Sequence, residues 1–327
     1  MRNVNFGIIG AGRIAKRMAN AIRWTSGVSL KGIASTSLER AQQFAREFGA
    51  KDAYGSYEQL TQDKEIDVVY IATLHKDHYE NALMCLENGK NLLIEKPITM
   101  NKRQAQVLFQ KAAEKQLFIM EGMWTRFLPS VLYVKEAIKK GLIGEVRSMT
   151  ISFGVKRDAV SSPRQFYRDM AGGALLDIGV YCLAFSDIIF EQDPKKIYSA
   201  CNISDEYGTD LEHSVILKYT NGQQTVFNCS VCNFYNNTAF IYGTNGHIEM
   251  PRFNACQKVI VRQLEEYPLE VAFPHKVCGF EYELEHVAQR IRDGVIVSDV
   301  NPPEFTLSIM EQMDTIRAAW NLNYPCE

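Results

Sequence analysis

Short apolar runs alternate with longer amphipathic stretches between residues 4 and about 121. The apolar runs cover residues 6–9, 28–34, 67–72, 91–94 and 117–120, with a weaker candidate at 53–54. The stretches between them have helical spacing, and in one of them Ser37 is placed to cap the helix and Gly49 to end it. This alternation predicts a βαβ array built on a parallel sheet.

The pattern of apolar and polar positions changes from about residue 122. A helix is expected at 127–140, a long alternating strand at 146–155 and an apolar helical segment at 172–190. Several strands follow between 195 and 270, with turns at Asn221-Gly222 and Asn245-Gly246, and helices at 279–292 and 304–321 close the chain. Such turns between alternating runs indicate an antiparallel sheet. We therefore expect two domains, 1–122 and 123–327.

Composition and charge limit the classes of partner. The chain has 327 residues, 46% hydrophobic and 23% charged, with a net charge of −2, which is ordinary for a globular protein. No basic block or long apolar run suggests a nucleic acid or a membrane as partner. The first residues have no signal-peptide pattern, so a cytoplasmic location is expected. The eight cysteines are scattered through apolar segments, as reduced core thiols would be.

The first predicted strand runs into a G-x-G-x-x-A motif. Gly10 permits the tight turn, and Gly12 lets a diphosphate approach the backbone amides of Arg13 and Ile14 at a helix N-terminus. Because the motif follows a strand and opens a helix, it has the context that a dinucleotide-binding fingerprint requires.

The end of the second strand indicates the coenzyme. A carboxylate there would bind the ribose hydroxyls of NAD, but the sequence has Ser35, Thr36 and Ser37 instead. These hydroxyls, with Arg13 or Arg40 in reach, would accept a 2′-phosphate. NADP is therefore favoured, and NAD remains possible because Thr36 is not an arginine.

Polar side chains also follow two later strands. After residue 72 come Thr73, Leu74, His75 and His78. The two histidines could bind a metal, but a zinc site needs at least three protein ligands and no third one is nearby. Contacts with a cofactor and helix capping are therefore expected. After residue 94 comes Glu95-Lys96-Pro97. In an open α/β sheet Lys96 would project towards a bound molecule. Taken alone, a lysine that merely caps a strand is the more common case.

Asp177 and Tyr181 lie four residues apart in the apolar segment that follows Gly172-Gly173. This spacing places them on one helix face. Buried polar groups need a partner or a function. Without Lys96, a core hydrogen bond for Asp177 and simple packing for Tyr181 would be the preferred interpretation.

Taken together, these motifs resemble the glucose-fructose oxidoreductase and inositol dehydrogenase superfamily along nearly the whole chain. The landmarks are residues 10–15, 95–97, 172–181 and 242–246. Residues 122–129 and Tyr181 look most like the dihydrodiol dehydrogenase and NADP-dependent xylose dehydrogenase branch. The resemblance implies a Rossmann doubly wound parallel sheet, then an α+β domain with a large open, mainly antiparallel sheet that forms dimers or dimers of dimers.

The resemblance also implies roles for individual residues. Lys96, Asp177 and Tyr181 would be catalytic, and the cofactor set would include Glu95 and Arg126. Apart from the resemblance, we expect the pocket for the substrate, a sugar or polyol, to be lined by Asp177 and by Trp124, Arg126, Arg164, Tyr167 and Arg168. For any one of these last five, a surface or packing role is equally expected.

The expected reaction is hydride transfer between a nicotinamide and a secondary alcohol of a sugar or vicinal diol. Oxidation of the alcohol needs a base. Tyr181 could serve if Lys96 stabilises its phenolate, or Lys96 itself could carry the proton while Tyr181 positions the substrate. The alternative function is a sensor that binds NADP without turnover, although a sensor has no need of Lys96, Asp177 and Tyr181 together.

Overall fold

The structure, a computed structural model, describes residues 2–327. It divides into two compact units. The first contains the chain up to Trp124 together with Lys276–Leu307, and the second contains Thr125–His275 together with Ser308–Glu327. The sequence placed residues 276–307 in the second domain, whereas in the structure they group with the first unit.

A six-stranded parallel sheet forms the centre of the first unit. Its strands are β1 (Val4–Ile9), β2 (Val28–Ala34), β3 (Asp52–Tyr54), β4 (Val68–Ile71), β5 (Asn91–Glu95) and β6 (Ile119–Gly122). The spatial order is β3-β2-β1-β4-β5-β6, and every pair is parallel. The predicted α/β class with a Rossmann-type sheet is confirmed, and all six sequence runs are strands.

Five helices of this unit lie between the strands, as the alternation predicted. They are α1 (Arg13–Trp24), α2 (Leu38–Phe48), α3 (Tyr57–Gln62), α4 (His78–Glu87) and α5 (Lys102–Glu114). Helix α2 begins after Ser37, whose side chain accepts a hydrogen bond from the Arg40 N–H, and ends at Gly49 in the left-handed conformation. Both signals were read from the sequence, because capping depends on local chemistry alone.

The second unit is built on an eight-stranded sheet. Its helices are α6 (Pro129–Lys139) and α7 (Val180–Phe190), and its strands are β7 (Val146–Gly154), β8 (Lys196–Ile203), β9 (Asp210–Lys218), β10 (Gln224–Ser230), β11 (Thr238–Gly243), β12 (Gly246–Pro251), β13 (Lys258–Gln263) and β14 (Leu269–Ala272). The order is β14-β13-β12-β11-β7-β10-β9-β8. Only the β7–β10 pair is parallel, so the predicted, mainly antiparallel sheet is confirmed.

The last helices are α8 (Glu281–Arg292) and α9 (Pro303–Ala319). Helix α8 is fixed to the first unit by Arg292, whose guanidinium donates to the Gly27 carbonyl at 2.5 Å. The Asn301 side chain donates to the Glu121 carbonyl at 2.8 Å. These long-range bonds explain why residues 276–307 return to the first unit, and no local sequence pattern encodes them.

Among residues 2–327 one segment, Arg168–Phe190, is long and apolar enough to cross a membrane, with a mean hydropathy of 1.7 over its best window, which corrects the expectation that there is no such run. In the structure 94% of that window is buried inside the protein. Core helices of folded proteins meet the same criterion, so the segment is weak evidence for a membrane span.

Candidate active site

The predicted cofactor residues of the first unit lie at one edge of its sheet. They follow β1, β2, β4 and β5, and these strands are parallel neighbours. The strand order reverses between β1 and β4, and ligands of open α/β sheets bind at such a reversal, beyond the carboxyl ends of the strands. The fold thus gathers loops that are far apart in sequence.

Gly10 and Gly12 are required for different reasons. Gly10 has a φ of +94°, and a Cβ there would lie 2.7 Å from the Ala72 carbonyl oxygen, so the β1–α1 turn packs directly on the end of β4. A Cβ on Gly12 would meet no protein atom within 4 Å. Gly12 precedes α1, which has no acidic residue in its first turn and no side-chain cap. The amides at this N-terminus therefore face open space that suits an anion.

At the end of β2 the serine hydroxyls organise the turn. The Ser35 side chain accepts from the Ser37 N–H at 3.4 Å, and the Ser37 side chain accepts from the Arg40 N–H at 3.4 Å. Thr36 and the Arg40 side chain are exposed beside them, as is Arg13 at the start of α1. The tip of β2 thus presents hydroxyl and cationic groups.

The loop after β4 contains Thr73, Leu74 and His75, all of them half-buried. His78 differs, because it is fully buried and its Nδ1 lies 2.9 Å from the Pro97 carbonyl oxygen. Burial lowers the pKa of His78 to about 4, so its imidazole is neutral at physiological pH. His78 therefore holds the segment after β5 in place, which is a supporting contact that its sequence position did not indicate.

Lys96 is half-buried at the end of β5. Its neighbour Glu95 is buried and accepts from the Tyr70 hydroxyl and, at 3.2 Å, from the Lys96 N–H. Burial raises the pKa of Glu95. The buried position shows that Glu95 anchors the backbone that carries Lys96.

Two further buried carboxyls belong to this region, and the sequence analysis missed both. Glu121 in β6 accepts from the Ile98 N–H at 2.9 Å and from the Thr306 hydroxyl at 3.1 Å. Its pKa is raised to about 7 by burial. The pKa of Glu283 is raised well above its usual range, mainly by burial and to a smaller extent by the nearby Glu95. A glutamate directly after the apolar run 117–120 was the available signal for Glu121.

Trp124, a predicted substrate contact, is only 2% exposed. Its ring meets Phe280 edge-on with 4.8 Å between centroids. The Arg17 guanidinium carbon lies 4.6 Å from the Phe280 ring centre and 5.7 Å from that of Trp124. Trp124 is thus part of a packed aromatic and cationic cluster within the first unit.

In the second unit the structure brings Asp177 and Arg164 together. The Arg164 Nη1 lies 3.3 Å from Asp177 Oδ1, and the Gln165 side-chain amide donates to Asp177 Oδ2. Asp177 and Gln165 are buried, whereas Arg164 is partly exposed. Gln165 was not among the predicted residues, although its position next to Arg164 in a polar loop was a usable hint.

Tyr181 is buried in α7, and its ring lies 5.9 Å from that of Phe153. The helix is not regular before it, because Leu175–Gly179 form a π-helical turn. Because this turn is wider than an α-helical one, Asp177 and Tyr181 do not have the α-helical spacing that was expected to place them on one face. Such wide turns occur frequently at functional sites.

Three other predicted residues have contacts with other groups of the second unit. Arg168 donates from Nε to the Asn323 carbonyl at 2.5 Å. Tyr167 is exposed and packs edge-on against Tyr207. Arg126 lies 3.7 Å from Asp187, whose pKa is raised to about 6 because burial outweighs the arginine charge. Their roles in binding stay predictions.

Comparisons with known proteins cover nearly the whole chain. Residues 4–123 match the family described as "Oxidoreductase family, NAD-binding Rossmann fold", and residues 131–249 match the "GFO/IDH/MocA C-terminal domain". The trans-1,2-dihydrobenzene-1,2-diol dehydrogenases of Mus musculus and Homo sapiens are 34% and 32% identical, each alignment covering 98% of both chains.

Solved structures give the same picture of the fold. A 3-ketoreductase from Actinomadura kijaniata, in complex with NADP and TDP-benzene, has a TM-score of 0.89 at 25% identity and covers 97% of this chain and 98% of that one. Levoglucosan dehydrogenase, in complex with NADH and levoglucosan, has a TM-score of 0.86 at 20% identity and covers 99% of both chains. At this identity the second match supports the fold alone.

Proposed function

Since the chain belongs to the GFO/IDH/MocA family of oxidoreductases, we propose that it transfers a hydride between NADP and a secondary alcohol of a sugar or vicinal diol. Family membership confirms the resemblance that the motifs indicated. It also identifies the chain as an NAD(P)-dependent dehydrogenase. The observation that carries the proposal is the open space at Gly12, beside the α1 N-terminus and at the same sheet edge as Lys96.

NADP is proposed as the coenzyme in preference to NAD. The residues present fit a dinucleotide, because the amides at the start of α1 can bind its diphosphate. Thr36, Arg13 and Arg40 would hold a 2′-phosphate, and no carboxylate stands at the tip of β2 to repel it. When bound, the coenzyme supplies the hydride acceptor or donor.

Proton transfer is assigned to Tyr181 or Lys96. The base must take the hydroxyl proton as the alcohol is oxidised. Tyr181 can do so as a phenolate, whose charge a nearby cation stabilises, and Lys96 can do so as a neutral amine, which burial or a nearby cation favours. Asp177 accepts hydrogen bonds from Arg164 and Gln165, so its carboxylate is held in a fixed orientation. We propose that Asp177 binds a substrate hydroxyl.

The substrate class rests on the relatives and on the polar groups of the second unit. Two relatives are named for a dihydrodiol. Asp177 and Arg164 offer an acceptor and a donor to adjacent hydroxyls, a pattern that vicinal diols and sugars both satisfy. A comparison of aldoses with trans-dihydrodiols distinguishes these two substrate classes.

The test is coenzyme reduction with NADP and NAD supplied separately against aldoses, inositols and trans-dihydrodiols. We expect turnover with NADP and at least one compound, and a loss of about two orders of magnitude or more in Lys96→Met and Tyr181→Phe. Lys51→Met and Tyr267→Phe, at exposed positions, are the controls. NADP binding without turnover of any compound would instead support the sensor, and unchanged kcat in the first two variants would refute their assignment.

Association into a homodimer through the second sheet is also proposed. Tyr198, Ile216, Val226, Thr150 and Phe240 are successive cross-strand partners on β8, β9, β10, β7 and β11. Tyr198 is 53% exposed, and Ile216 and Val226 are each 37% exposed. A continuous row of this kind is what a symmetric apolar interface would cover.

Light scattering on the purified protein tests the dimer. We expect the mass of two chains for the wild type and of one chain for Ile216→Glu with Val226→Glu, because two carboxylates would then be buried at the contact. Leu264→Glu, in the exposed turn that follows β13, is the matched control and should not change the mass. A monomeric wild type would refute the proposal.

A further inference from the structure

Asp210 and His213, near the start of β9, form a fully buried pair that none of the predicted site residues includes. Asp210 Oδ2 lies 2.9 Å from His213 Nδ1, and both side chains are 0% exposed. The same carboxylate oxygen accepts from the Leu175 N–H at 2.8 Å. Leu175 is the first residue of the π-helical turn that contains Asp177.

Both ends of this turn are shaped to fit the pair. Gly173, before the turn, has a φ of +115°, and a Cβ there would lie 2.3 Å from Asp210 Oδ1. A Cβ on Gly179, the last residue of the turn, would lie 3.1 Å from His213 Nε2. Asp177 lies between these two close approaches. The segment that carries it therefore packs against Asp210 at one end and against His213 at the other.

From this geometry we propose that Asp210 and His213 are positioning residues that fix the π-helical turn carrying Asp177. The inference rests on the proposed function, in which Asp177 orients a substrate hydroxyl. A turn held at Leu175 and Gly179 keeps the Asp177 carboxylate in one place, and orientation of this kind controls the rate of the chemical step more than the strength of binding.

Burial and Asp210 act in opposite directions on the charge of His213. Burial opposes a charge on the imidazole, whereas the hydrogen bond to Asp210 raises the pKa of His213. Burial also raises the pKa of Cys229 well above its usual range, so that sulfur is a neutral thiol at physiological pH. Asp210 is therefore the group that holds the His213 ring, through Nδ1.

Other groups pack around the pair. The Trp320 ring lies 5.2 Å from that of His213, and Cys182 Sγ lies 3.5 Å from Cys229 Sγ. The Tyr324 hydroxyl donates to the Gly172 carbonyl at 2.6 Å, and Cys201 is paired with His213 across β8 and β9. None of these groups supplies a second carboxylate, so Asp210 has no competing anion among them.

The experiment compares Asp210→Asn, His213→Leu and His213→Asn in the full-length protein with NADP and the best substrate of the panel. We expect kcat to fall about ten- to hundredfold in the first two variants, with the KM for NADP changed less than twofold. An asparagine at 213 keeps a donor for Asp210, so it should recover most of the lost kcat. Ser130→Ala, which removes another buried hydrogen bond of the second unit, is the control and should retain wild-type kcat.

Hydrogen exchange provides the second readout. Amides 175–181 should exchange faster in Asp210→Asn and His213→Leu than in the wild type and the control. A lowered melting temperature with kcat within twofold of wild type, or unchanged exchange in this segment, would overturn the proposal. If the wild type turned over nothing, the proposed function would fail, and exchange would still decide whether the pair orders the turn.

If His213→Leu and Asp210→Asn did not fold, His213→Asn would carry the test alone. Its exchange at 175–181 should then lie close to that of the wild type, because the donor to Asp210 is kept. Fast exchange confined to that segment, with wild-type kcat, would refute positioning.

Discussion

Replacing Glu121 with glutamine should make the first unit more stable at pH 8 and leave it nearly unchanged at pH 5. The wild-type carboxyl is 1% exposed and accepts from Ile98 and Thr306. The amide oxygen of a glutamine can accept from the Ile98 N–H, and its NH₂ group can donate to the Thr306 hydroxyl. The substitution therefore preserves the contacts and removes only the ionisation.

The magnitude follows from the pKa of Glu121. Burial raises it from 4.5 to about 7 in the folded protein, so between these pH values the folded state binds more protons than the unfolded state. The free energy of unfolding then falls as the pH rises. At about 1.4 kcal/mol for each tenfold change in proton affinity, the wild type loses about 3 kcal/mol relative to the variant across this window.

Urea denaturation at pH 5, 6, 7 and 8 measures the difference. A Trp320→Phe background leaves Trp24 and Trp124 as the fluorophores, and both lie in the first unit. Glu114→Gln, an exposed change on α5, is the control and should track the wild type at every pH. The reasoning is refuted if the wild type and Glu121→Gln lose stability in parallel from pH 5 to pH 8.

Three further substitutions each test a single close contact or open position. Gly10→Ala should destabilise the protein by about 1–3 kcal/mol, because its φ is +94° and its Cβ would meet the Ala72 carbonyl. Gly12→Ala should keep the melting temperature and weaken NADP binding measured by calorimetry, and wild-type affinity would contradict this. Tyr324→Phe removes the bond to the Gly172 carbonyl and should cost about 1 kcal/mol of unfolding free energy by urea titration; equal midpoints would contradict it.

The β-strands of the first unit could be predicted because each is an apolar run bounded by local turn and cap signals. Ser37 and Gly49 show how far such signals reach, since both mark the ends of α2 in the structure. The G-x-G-x-x-A motif worked for the same reason, because the strand, the turn and the helix N-terminus are contiguous in sequence.

The candidate site was only partly predictable. Arg164 and Asp177 were both named, but their contact and the third member, Gln165, depend on how a loop folds back onto a helix. His78 was expected to contact the cofactor or cap a helix, and the structure shows it buried against Pro97. In both cases the deciding contact joins residues that are distant in sequence, and side-chain type alone does not reveal it.

The sequence by itself determined the βαβ order, the helix caps and the residue types at the strand ends, because these depend on periodicity and on interactions within a few residues. Only the tertiary structure decided that 276–307 pack with the first unit, that Glu121 is buried, and that Asp210 and His213 support the turn carrying Asp177. Burial and long-range hydrogen bonds arise from how distant segments pack, so the chemistry they impose on a side chain appears only in the folded protein.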